Sequence, residues 1–181
     1  MARFLNINTL QWREDDGTGL ERDNELRNPD ISTVANIPTK YWRIANGILD
    51  EMTDEQKLVV DNAELEVVKV AKIAEIDVRT QALLAIGVKI NDKSISCSLA
   101  AQHNLNALTV GLMIGRTKFP RGISTIDGGE YIISDQDEFG IISKLVWDRV
   151  SLILDQGRAL RLQILSKSTI DEVNAVNDSR E

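Results

Sequence analysis

Thr53 to Ile86 is a run of 34 residues without a glycine or a proline. Such a run has few options besides one long helix, about 50 Å at 1.5 Å per residue. Thr53-Asp54-Glu55-Gln56 opens it as a capping box, with Asp54 and Glu55 at the positive end of the helix dipole. Gly87 stops it. One stripe reads Val60, Ala63, Val67, Val70 and Ala74, in steps of three and four, which is a heptad seam. The stripe continues to Val78, Ala82 and Ala85 through extra four-residue steps, a stutter that unwinds a supercoil locally. Valine at both seam positions disfavours a dimer and predicts a trimer or larger bundle. A second stripe, Ile73, Ile76 and Leu83, lies on a neighbouring face. The first half of the helix is therefore expected to self-associate and the second half to pack on the C-terminal domain. The alternative is one helix packed wholly on its own domain. Valine lowers intrinsic helix propensity, so the helix needs packing partners either way.

The segments before it divide in two. Arg3 to Trp12 alternates and predicts a short strand. Arg13 to Asp30 carries ten charges in eighteen residues, with Gly17, Gly19 and Pro29, too polar for a core of its own. It is expected to be a flexible tail or an extended arm. Trp12, Leu20, Leu26 and Ile31 would be the arm's apolar anchors on another protein. Tyr41–Ala45 and Ile48–Met52 flank Asn46-Gly47, a type I′ hairpin signal.

After the helix, Val88–Ile90 and Ser94–Cys97 predict one hairpin, and Ile123–Ile126 with Glu130–Ile133 a second. Ser98 caps a helix to about Gly115. Ser134 or Asp135 starts another through Phe139, Ile142, Val146 and Val150, with a break expected near Gln156-Gly157. Thr169-Ile170-Asp171-Glu172 is a further capping box. The expected fold is α+β: an arm and hairpin over 1–52, a long helix over 53–86 forming a trimeric coiled coil, and a small α+β domain over 87–181.

Chemistry is hard to place on this chain. Its net charge of −7 repels phosphate backbones, and Lys89, Lys93, Arg116, Lys118 and Arg121 are scattered. No apolar stretch is long enough to span a bilayer, and the N-terminus has no secretory h-region. Cys97 lies in an alternating run and reads as a buried thiol. His103, the single histidine, sits on a predicted helix without ligand or triad partners. The phosphate-loop and dinucleotide patterns are absent, and the acidic turns at Asp127 and Asp135 do not match a calcium loop. With 28 acids, carboxylate pairs arise by chance, and 4% aromatics argues against a sugar cleft. Neither a catalytic residue nor a cofactor or metal site is expected.

Several segments resemble an uncharacterised domain of bacteriophage tail and tail-fibre-associated proteins. They are Ala74-Glu75-Ile76-Asp77-Val78-Arg79-Thr80, Ile86-Gly87-Val88, Ile90-Asn91-Asp92-Lys93-Ser94-Ile95-Ser96 and Ser98-Leu99-Ala100-Ala101-Gln102. Asp127-Gly128-Gly129-Glu130-Tyr131, Gly157-Arg158-Ala159-Leu160 and Ile170-Asp171-Glu172-Val173-Asn174-Ala175-Val176 continue the likeness to about Asp178. Asn36-Ile37-Pro38-Thr39-Lys40-Tyr41-Trp42 also looks like segments preceding such domains in phage virion proteins. The resemblance implies a phage context and carries no catalytic residue.

The expectation is a non-enzymatic virion protein, made in the host cytoplasm. It would be a tail-fibre component or fibre adaptor, a homotrimer, bound to other virion proteins, with a host surface as a further candidate partner. A fibre-assembly chaperone absent from the mature particle and a capsid head-fibre or decoration protein are the alternatives.

Overall fold

The computed structural model describes residues 2–15 and 22–181. It is α+β and falls into two compact units, Met1–Glu66 and Val67–Glu181. The boundary lies inside the long helix α1 (Asp54–Ile86), so that helix contributes to both units.

In the first unit, β1 (Arg3–Asn6), β2 (Trp12–Glu14) and β3 (Glu25–Arg27) form an antiparallel sheet in the order β2-β1-β3. This corrects the expectation of an extended arm. Residues 3–14 make a hairpin, turning at Leu10 with φ 55°, and Glu25–Arg27 of the charged segment forms the third strand. The charges are what allow it. Arg13 Nε and Nη2 donate to the two Glu25 carboxylate oxygens at 2.8 and 2.6 Å, and the guanidinium lies 4.3 Å from the Phe4 ring centroid. A bidentate pair of this kind lets a carboxylate sit at 8% exposure. Phe4 and Leu5 are fully buried.

β4 (Trp42–Ala45) and β5 (Ile48–Glu51) form the expected hairpin, with Asn46 at φ 53° and Gly47 at 75°. Leu5, Val34, Trp42 and Leu49 make the core of the unit, and Leu10, Trp12, Ile37 and Ile44 pack against it. The helix start is tied to the hairpin entry. Tyr41 Oη donates to Asp61 at 2.7 Å, and Lys40 Nζ reaches Asp61 and Glu64 at 2.8 Å each. The capping box is present: Thr53 N–H donates to Gln56 Oε1 at 3.0 Å and Gln56 N–H to Thr53 Oγ1 at 3.4 Å.

The second unit carries two hairpins, β6 (Val88–Ile90) with β7 (Lys93–Ile95) and β8 (Arg121–Ser124) with β9 (Glu130–Ile133). Its remaining helices are α2 (Leu99–Met113), α3 (Gln136–Leu165) and α4 (Ile170–Asn174). Ser98, Asp135 and Thr169 cap the three helices as the sequence indicates. The core gathers Leu83 and Leu84 of α1, Ile95, Cys97, Leu105 and Leu108, and the inner face of α3 at Phe139, Ile142, Val146, Val150 and Ile153.

α3 does not break at Gln156-Gly157. Gly157 is there for space. A Cβ at that position would meet Arg180 Nη1 at 2.8 Å and Thr80 Oγ1 at 3.1 Å. Arg180, 7% exposed, is held by Asp178 at 2.8 and 2.6 Å. Its guanidinium also donates to Thr80 Oγ1 at 2.9 Å and to the carbonyls of Ile76 and Ile153 at 3.1 and 3.2 Å. Five donated bonds saturate a buried guanidinium, and the Asp178 carboxylate neutralises it.

Candidate oligomer interface

α1 carries two apolar faces with opposite fates. Leu65, Ile76 and Leu83 are buried at 9%, 1% and 1% exposure. At 100° per residue, Val67, Val70, Ala74 and Val78 cluster about 170° away from them. These valines are open to solvent: Val67 is 70% exposed, Val70 67% and Val78 72%. The second stripe is thus nearly opposite the seam and not beside it. Ile76 and Leu83 fill that inner face, and Ile73 is half-buried at its flank.

Each seam residue can be placed. In the first unit Val60 is half-buried and Ala63 exposed. In the second, Val67, Val70 and Ala74 are all exposed. There a shallow concavity is lined by Ala71, Ala74, Val78 and Ala82, with Glu75 and Arg79 at its margin. Both charges are engaged within the chain: Glu75 pairs with Lys72 at 3.1 Å, and Arg79 Nη2 donates to the Arg180 carbonyl at 3.0 Å. Alanines at the centre let a second helix approach closely, and valines beside them supply buried area on contact.

Three of the four proposed attachment residues are described. Trp12 is half-buried against the first unit's core, with the Arg3 guanidinium 4.9 Å from its ring centroid. Leu26 pairs with Leu5 across β3 and β1. Ile31 is 40% exposed, and Leu20 lies outside the described residues.

His103 is exposed on α2. The Cys97 thiol is fully buried, donates to the Val146 carbonyl at 3.9 Å, and has its pKa pushed up by burial, which makes it a poor nucleophile. Among the described residues there is no group of three or more His, Cys, Asp or Glu placed to hold a metal ion. Among the same residues no helix is long and apolar enough to cross a membrane.

Arg180 and its contacts had no sequence signal beyond Gly157 itself. The glycine marks a close approach, but the arginine that fills the space lies 23 positions on and carries no motif.

Compared with known proteins, the chain matches no family model, no curated relative and no solved structure.

Proposed function

We propose that the chain is a structural protein of a bacteriophage virion, a tail-fibre component or fibre adaptor that trimerises through α1. The observation that carries the reading is the exposed Val67-Val70-Ala74 stripe on the side of α1 opposite its buried face. A valine-rich stripe left in water is unfavourable for a stable monomer and favours burial against copies of itself. The phage context comes from the sequence resemblance over Ala71 to Asp178. The folded N-terminal unit, with Ile7, Ile31 and Ile48 exposed, takes the attachment role in place of an extended arm. The reading needs no catalysis, nucleic acid or cofactor.

Quantitative mass spectrometry of purified phage particles tests the role. A virion component appears at a fixed copy number. Its absence from finished particles that need it for assembly would transfer the role to a chaperone.

A further inference from the structure

Two strand edges in the second unit separate where they could have paired. Thr125 N–H donates to the Gly129 carbonyl at 2.9 Å, closing the β8–β9 hairpin. Ladder bonds alternate in an antiparallel pair, so Thr125, Ile123 and Arg121 bond inwards to β9. Gly122 and Ser124 therefore turn their N–H and C=O groups to the outer edge. Ile126 has the same parity, and its outward N–H donates to the carbonyl of Ser94, within β7, at 2.9 Å. After that bond the hairpins part: among the described residues β7 pairs only with β6, and β8 only with β9. Between them lies a cavity of about 210 Å³, with Ser96 on one lip, Ser124 on the other and buried Leu105 and Leu108 at its base. The exposed Asn104 and Ser124 side chains at its rim bond no other described residue.

We propose that this cleft is a strand-addition site, taking an extended peptide segment of another protein along the Gly122–Ser124 edge. The occupant follows from the groups on offer. Outward N–H and C=O groups spaced two residues apart match an extended backbone, and an apolar base beside them takes every second side chain. The cleft lining is uncharged, so the seated side chain is apolar. Arg116, Lys118 and Arg121 lie within six residues that contain no acid, and none has an ion pair among the described residues. The peptide end beside Arg121 therefore carries Asp or Glu, while the Glu130 carboxylate, which lies against Gly122, keeps further acid off the middle of the segment.

The probe is a fluorescein-labelled peptide, Asp-Thr-Val-Thr-Val-Thr-Asp, titrated with the full chain by anisotropy. The acidic residue at each end serves either strand direction. Ser124→Pro removes one outward donor at an edge position where proline is tolerated. It weakens binding about tenfold, as one lost backbone bond does. A peptide N-methylated at both valines loses binding to the unaltered chain, which tests the backbone pairing whether or not the proline variant folds. No saturable binding at millimolar chain overturns the proposal, as does equal binding by the methylated peptide. A fall in the chain's own mass in Ser124→Pro would assign the edge to a second copy and would also overturn it.

Discussion

Gly157 of α3 and Arg180 sit so close that a single methyl on the glycine would lie 2.8 Å from the arginine Nη1. In an exposed helix, glycine to alanine gains about 1 kcal/mol. Here the guanidinium must move, and it is fastened by Asp178, Thr80 and two carbonyls. Gly157→Ala is expected to destabilise by about 1–2 kcal/mol in urea unfolding. In an Arg180→Ala background the same change costs less or gains, and the double-mutant cycle measures the coupling.

Gly87 ends α1 at φ 71°, and a Cβ there would overlap the Ile95 carbonyl oxygen. Strain and collision with backbone add together. Gly87→Ala is expected to cost about 3 kcal/mol or more, read as a lowered midpoint of thermal unfolding.

Glu25 is held down to about 2 from its ordinary 4.5, first by the hydrogen bond from Arg13, against the opposing effect of burial. A folded-state pKa below the unfolded one gives stability that is complete above about 4.5 and lost as pH falls through about 2. The acid limb of a stability-against-pH curve is expected to be steeper in the native chain than in Glu25→Gln. Parallel acid limbs would remove Glu25 from the account.

The legibility of this fold follows the range of the interactions. The Thr53 and Thr169 capping boxes, the Asn46-Gly47 turn and the end of α1 at Gly87 depend on residues three or four apart, and a reading of the chain alone places them. The third strand at Glu25–Arg27 depends on Phe4 and Leu5, more than twenty residues away, and on a charge that looks solvent-bound until Arg13 is beside it. Charge density in Arg13–Asp30 suggests an arm because composition does not report pairing. Gly157 likewise suggests a break only until Arg180 and Thr80, distant in sequence, are seen to fill the space beside it. The apolar stripe of α1 was visible from its spacing, but its near-opposition to Ile76 and Leu83, which leaves it uncovered in its own unit, required the packed core.

The central claim is that the exposed face of α1 is where copies of the chain meet. Size exclusion with light scattering, on the native chain and on Val67→Asp with Val70→Asp, tests it most directly. The account predicts a native mass near three times 20.2 kDa and a folded monomer for the double variant. A native chain that is monomeric at micromolar concentration, or a double variant with unchanged mass, would contradict it.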